Sequence, residues 1–304
     1  MAEQPTALVT GGAGFIGKYV VRELRDHDYE VTVLSRSADS DISADLAAAV
    51  PDLAGRRFDL VVHLAGSTDE KAADAVTRQG TANLVAALTD TPPKWFVFIS
   101  SAAVYGVTEG ENIDENHPTE PTTEYGRSKL AAERLLADWA AKNNVVLTIL
   151  RPVMTLGTGM TGQLMTMARG IDRGTYLNIK GNESRRSVVH AIDVAKVVEK
   201  VAPIGGTFNV ADGCDPRLID LAEALSARIR GKRIPAIAEK WFRLAAKVGD
   251  LLGGHFPIDS KGLAKLTKTL TFSSERLQKA IDWQPISVVE YLRTHDYEND
   301  GLDF

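Results

Sequence analysis

Through the first 150 residues, short apolar runs alternate with amphipathic stretches. Runs rich in β-branched and aromatic residues predict strands over Ala7–Thr10, Glu30–Leu34, Leu60–Leu64, Trp95–Ser100 and Val145–Arg151. Between them, apolar positions recur at three- and four-residue spacing, predicting helices over Lys18–Asp26, Ala72–Leu88 and Tyr125–Lys142. Such alternation implies parallel strands joined by right-handed crossovers, an α/β doubly wound sheet. The interval from Ser35 to Phe58 is short and Ala-rich, so the third strand is expected to be abbreviated or lost. After Pro152 the pattern changes. Gly157, Gly159 and Gly162 mark a loop, Leu164–Ile171 reads as a helix and Thr207–Val210 as one more sheet strand. From Leu218 the chain is mainly helical, over Leu218–Arg230, Glu239–Leu252 and Ser287–His295. The expected division is residues 1–156 as one domain, and 157–304 as a smaller, mostly helical lobe interleaved with late sheet elements over about 187–210.

The turn after the first strand carries the first chemistry. Gly11, Gly14 and Gly17 stand at three-residue spacing and open a helix, with Phe15 and Ile16 between the last two. A glycine at the first position permits a tight turn, the second lets backbone approach a pyrophosphate, and the third lets helix pack on sheet. Phosphates would then sit at a helix N-terminus, where unpaired N–H groups and the helix dipole favour negative charge. This predicts a Rossmann-type dinucleotide site. The residue at the tip of the second strand chooses between NAD and NADP. NAD binding uses a carboxylate there, whereas Ser35-Arg36-Ser37 offers a guanidinium suited to a 2′-phosphate. NADP is therefore expected, with NAD the alternative if Arg36 is only a solvated surface charge. Asp41 and Ile42 are candidates for the adenine, the carboxylate on its exocyclic amine and the side chain of Ile42 against its ring.

Composition narrows the picture. With 44% hydrophobic and 25% charged residues the 304-residue chain is an ordinary globular protein. A net charge of −5 gives no reason to expect nucleic acid or an anionic membrane as partner. Cys214 is the single cysteine, so there is no intramolecular disulfide, and a cytoplasmic location is expected. The six histidines are too scattered for a metal site.

A catalytic constellation is spread over two further segments. Phe96–Ser101 is a strand ending in two hydroxyls, and Tyr125 and Lys129 follow four residues apart at a helix start. That spacing puts phenol and ammonium on one face, where the charge and an oxidised nicotinamide would draw the phenol's pKa down from about 10 toward neutrality. Ser101 would hold the same substrate oxygen against Tyr125.

Together, Thr10–Gly17, Ser100–Gly106, Tyr125-x-x-x-Lys129 and Arg151-Pro152 resemble the extended short-chain dehydrogenase/reductases, the NAD-dependent epimerase/dehydratase group. The likeness continues through Arg186–Ala195 and Gly206–Val210 and so spans essentially the whole chain. It implies a nucleotide-sugar substrate and homodimers built from Ala72–Leu88 and Tyr125–Lys142. It implies Ser101, Tyr125 and Lys129 as the catalytic trio, with Lys129 also on the nicotinamide ribose. Leu64, Ala65 and Gly66 would pass the cofactor, Pro152 and Val153 would lie under the nicotinamide, and Arg186 would grip the substrate diphosphate. Asp193 reads as a helix N-cap, and His63 and His190 as structural histidines. There are departures: Thr77 and Met154 stand where the family usually has asparagines, which touches substrate contacts only.

The family's dehydratases carry an Asp-Glu pair where this chain has Ala102 and Ala103, so dehydration lacks its acid and base. The Ser35-Arg36 tip suggests exchangeable NADPH, and the expected reaction is reduction of a nucleotide-linked 4-keto sugar with Tyr125 as acid. A UDP-hexose 4-epimerase is the alternative, and a non-catalytic NADP-binding sensor or scaffold the reading from another class.

Overall fold

The computed structural model describes residues 4–252 and 259–294. Its centre is a seven-stranded parallel sheet. The chain enters through β1 (Thr6–Thr10), α1 (Gly17–Asp26), β2 (Glu30–Ser35) and a two-residue β3 (Ile42–Ser43). It then crosses to β4 (Leu60–His63), α2 (Gly80–Leu88) and β5 (Trp95–Ile99). A short strand β6 (Gly110–Ile113) and the long helix α3 (Glu124–Asn143) precede β7 (Val146–Pro152). Beyond the sheet centre come β8 (Met154–Leu156), α4 (Gly162–Asp172), β9 (Asn178–Ile179) and β10 (Val188–His190). Helix α5 (Ala191–Val201) then leads back to β11 (Gly206–Val210), the last strand of the main sheet. The remainder is α6 (Leu218–Ile229), β12 (Ala236–Ile237), α7 (Glu239–Leu252), α8 (Ser260–Thr267), β13 (Leu270–Phe272), α9 (Glu275–Ile281) and α10 (Val288–Thr294). The predicted His295 end of the last helix lies outside the described residues.

Strand order is β11-β7-β5-β4-β1-β2-β3, so the order reverses between β1 and β4. Both faces are covered, as an all-parallel sheet requires. From β1, Ala7 and Val9 point to the layer of α1 and α5, while Leu8 points to that of α2 and α3. Alternate residues therefore feed two cores, which is why the sequence shows continuous apolar runs rather than alternation. A third core joins α4, α6 and α10 through Leu164, Leu221, Leu225 and Leu292. Three two-stranded parallel pairs, β8 with β10, β9 with β12 and β6 with β13, tie the later segments together.

The predicted helix over Ala72–Leu88 is broken in two. Residues Asp74–Gln79 form a wider π-helical turn before α2 begins. Within it Thr77 is fully buried and its hydroxyl accepts from the Ser67 N–H, 3.3 Å away. Asp193 does not cap α5. The cap is His190, whose Nδ1 accepts from the Ile192 N–H at 3.1 Å, while Asp193 accepts from Ile286 N–H at 3.1 Å and holds down the segment before α10. His63 is a structural histidine between Thr10 and Thr81, at 2.6 and 2.9 Å.

Candidate active site

The site opens where the strand order reverses, the expected place for a ligand in an open parallel sheet. Gly11 has φ of +69°, and a Cβ there would meet the Ala65 nitrogen at 2.9 Å. A Cβ on Gly17 would fall 2.1 Å from the Gly11 carbonyl oxygen, so α1 can start this close to β1 only without one. No side chain caps α1. A cleft of about 930 Å³ runs from Gly11, Gly14, Phe15, Ile16 and Gly17 past Leu64, Ala65 and Gly66 to Ser101, Tyr125 and Lys129. Pro152, Val153 and Arg186 line its far wall. A glycine-walled cradle under an uncapped helix start fits a dinucleotide pyrophosphate.

At the adenosine end, exposed Arg36 lines the cleft beside Ser35 and Ser37. Asp41 and Ile42 do not line it. Ile42 pairs with Leu34 as β3, and the Asp41 carboxylate accepts from the Val33 N–H at 2.8 Å, so β-pairing consumes both. Ala44, Asp45 and Leu46 occupy that wall instead. The sequence carried a signal for them, since Asp45-Leu46 repeats the acid-then-apolar pattern of Asp41-Ile42 four residues later.

Local rules build the opposite end of the cleft. Ser101 caps the short helical turn Ala102–Tyr105, its Oγ accepting from the Ala103 N–H at 3.2 Å. Thr123 caps α3 through the Gly126 N–H at 3.1 Å. A Cβ at Gly126 would lie 2.7 Å from the Ala103 carbonyl, so this glycine lets the start of α3 press onto the Ser101 turn. That approach brings Tyr125 to Ser101. The Tyr125 ring is half-buried at the cleft wall with its hydroxyl deep, and burial pushes the phenol above its ordinary pKa. The Ser101 hydrogen bond acts in the opposite sense, favouring the phenolate.

The Lys129 ammonium is tethered to the main chain. It donates to the Ile99 carbonyl at 2.7 Å and sits 4.8 Å from the centre of the Phe98 ring. Burial lowers its pKa to about 8, against a smaller opposing pull from Glu133 one turn along α3. Lys129 and Gly66 are close: a Cβ on that glycine would come within 3.1 Å of the ammonium nitrogen.

Beneath the trio lies a polar cluster that sequence reasoning missed. Glu133 takes a two-pronged bond from Arg151, at 3.0 Å from Nε and 2.6 Å from Nη2, and accepts the Ser100 hydroxyl at 2.5 Å. Arg151 also donates to the Tyr105 hydroxyl at 3.1 Å, which donates to Asn209 at 2.7 Å. The readable clue was the i, i+4 step from Lys129 to Glu133. Arg186 is buried, not a surface charge beside Arg185. Its fork donates to the main-chain carbonyls of Arg185, Lys265 and Lys268. Met154, on β8, lines the cleft, whereas buried Thr77 supports the turn after β4.

The profile of the NAD dependent epimerase/dehydratase family matches residues 7–211, which include the cradle, the trio and Arg186. The chain belongs to that family. It is an NAD(P)-dependent enzyme of the extended short-chain dehydrogenase/reductase type. One relative, the N-acetyl-α-D-glucosaminyl-diphospho-ditrans,octacis-undecaprenol 4-epimerase of Escherichia coli O157:H7, is 29% identical over 293 residues, covering 90% of this chain and 84% of that protein. The UDP-glucose 4-epimerase of Bacillus subtilis (strain 168) is 28% identical, covering 75% of this chain and 83% of its own length. Among solved structures, the UDP-glucose 4-epimerase of Thermotoga maritima with UDP-glucose superposes with a TM-score of 0.73 at 21% identity, covering 95% and 96% of the two chains, a likeness of fold. In the family member described here no helix among the described residues is long and apolar enough to cross a membrane.

Proposed function

We propose that this enzyme is a 4-epimerase of hexoses or N-acetylhexosamines carried on a diphosphate, working with a nicotinamide dinucleotide it retains. The observation that carries the reading is the reach of the likeness. The 4-epimerase from E. coli O157:H7 matches over 90% of this chain, through the later lobe as well as the dinucleotide half. The local chemistry agrees with it. When bound, the nicotinamide would take a hydride from C4 and return it to the opposite face of the sugar.

The chain's own residues would handle the proton and the orientation. Tyr125 Oη would take the proton of the C4 hydroxyl and later give it back, with Ser101 Oγ bonded to the same oxygen. Lys129, tethered to Ile99, would hold the ribose hydroxyls of the cofactor and keep a positive charge beneath the ring. Ala102 and Ala103 supply no carboxylate, so water is not eliminated. Arg186, its fork held by backbone carbonyls, would meet the diphosphate at the far wall. Pairing of two chains through α2 and α3 belongs to the same reading and is checked by light scattering.

Reduction of a nucleotide-linked 4-keto sugar with exchangeable NADPH is the second reading, and Arg36 alone favours it. The two are separated by incubating purified protein with UDP-galactose or UDP-N-acetylglucosamine without added cofactor, and separately with a 4-keto-6-deoxy sugar nucleotide plus NADPH. Epimer formation without net cofactor turnover is expected. Stoichiometric NADPH consumption with no epimer would replace the proposal by the reductase.

A further inference from the structure

Helix α7 carries apolar residues on two sides. Phe242 and Ala246 face inward, packing with Ile179, Leu263 and Leu266. On another face Trp241, Leu244, Val248 and Leu251 recur at three- and four-residue spacing and stand 56%, 54%, 36% and 86% exposed. A monomeric protein rarely leaves such a stripe to water without a use. Its edge is basic. Lys240 and Lys247 lie beside it, exposed and with no carboxylate in ion-pair range among the described residues. In sequence this stretch is basic as well: residues 228–268 hold ten lysines and arginines against three carboxylates, in a chain whose net charge is −5, although Arg243 pairs with Glu239 and Lys268 with Glu109. Whole-chain charge averages this local excess away, which is why composition pointed away from an anionic membrane.

We infer that the α7 stripe and its basic rim are a docking surface for an anionic phospholipid bilayer, from which the enzyme takes sugar diphosphates carried on a lipid. An apolar stripe edged by lysines is the pattern of a helix lying in the membrane interface, with Trp241 at headgroup level. A partner protein would match the apolar stripe equally well, but the flanking excess of positive charge selects an anionic lipid surface. The route from surface to site is short. Helix α7 packs on α8, and the carbonyls of Lys265 and Lys268, in α8 and just after it, hold the Arg186 fork at the cleft wall. This inference rests on the proposed diphosphate-linked substrate for its second half, and on the surface alone for its first.

The test uses the full chain with vesicles of phosphatidylcholine, alone or with about one-third phosphatidylglycerol, read by co-sedimentation and by Trp241 emission. Trp139 and Trp283 are buried and Trp95 is half-buried at the start of β5, so a blue shift on binding that is lost with Trp241→Ser reports Trp241. Binding to the anionic vesicles only is expected. W241S/L244S/L251S should abolish it, and K240Q/K247Q should weaken it about 25-fold, about fivefold per charge. Turnover of a water-soluble UDP-sugar should be unchanged in the triple variant. Turnover of an N-acetylhexosamine diphosphate on a polyprenol in the same vesicles should fall at least tenfold. Failure to bind anionic vesicles, or equal binding by the triple variant, overturns the docking surface. So does a fall in molar mass of the triple variant without vesicle binding by the parent, which would make the stripe an interface between copies. Vesicle binding without turnover of either sugar leaves docking standing and refutes the epimerase instead.

Discussion

Neutralising Glu133 tests whether the polar cluster under Ser101, Tyr125 and Lys129 is an integral part of the fold. Its carboxylate and the Arg151 guanidinium have side-chain exposures of 5% and 8%, so solvent screens the pair little. Burial works to strip the proton from Arg151, yet the contact with Glu133 outweighs it and holds the guanidinium charged. E133Q keeps the shape but leaves that charge without its counterpart. Breaking a buried pair on one side costs about 3–5 kcal/mol, against a total stability of about 5–15 kcal/mol for a native protein. At about 2–3 °C per kcal/mol for a large domain, Tm should fall by roughly 6–15 °C. Calorimetry and urea unfolding measure it. The double change E133L/R151M should recover more than half of the loss, because it removes both charges together. A second readout separates chemistry from stability. Glu133 holds the Lys129 pKa up, so in E133Q this lysine loses its proton at lower pH and the basic limb of the activity profile moves down. A Tm shift under 2 °C, or a double variant no better than the two singles summed, would refute the reasoning.

Further outcomes follow from named contacts. Y125F should lower turnover about 10²–10⁴-fold, the usual worth of a positioned acid or base, while isothermal titration shows dinucleotide affinity unchanged within a few-fold. If activity survives, the tyrosine is not the acid. G17A forces a Cβ to within 2.1 Å of the Gly11 carbonyl and should cost at least about tenfold in dinucleotide affinity by the same titration. Burial pushes the His63 pKa down to about 3, with the nearby Lys129 charge adding to the effect. Its stabilising contribution is therefore complete above pH 6.5 and lost as pH falls toward 3, on the order of 5 kcal/mol. Tm measured from pH 7 to 4 should fall less steeply in H63N. R36A should lower affinity for NADP more than for NAD; equal loss or none would make Arg36 a solvated charge.

The sheet was legible because parallel strands buried on both faces are written as unbroken apolar runs. Thr6–Thr10 and Trp95–Ile99 could hardly be anything else. What could not be read was structure that depends on distant partners. Strands of two or three residues such as β9 and β13 exist only because Ala236 and Gly110 lie alongside Asn178 and Leu270. The π-helical turn at Asp74–Gln79 follows the same logic, since Thr77 turns inward to reach Ser67. At the site, spacing named Ser101, Tyr125 and Lys129 and the structure brings all three to one cleft, but spacing could not say where the ammonium points. Ile99, which receives it, lies thirty positions earlier in the chain. Asp41 shows the same limit of spacing: a carboxylate near a strand tip can face ligand or backbone, and here it satisfies the Val33 N–H.

Asn209 sits at the end of a path from Arg151 through Tyr105, and its amide donates to Ile113 at 3.1 Å and to Ser273 at 3.2 Å. Four stretches of polypeptide far apart in order are thus stitched at one knot, beside the pairing of β6 with β13. The piece from 7 to 211 is consequently not a detachable cassette. Grafting the later segment of a relative onto this scaffold would have to move the 270s strand, its partner near 110 and the amide at 209 as one block, or the seam would open.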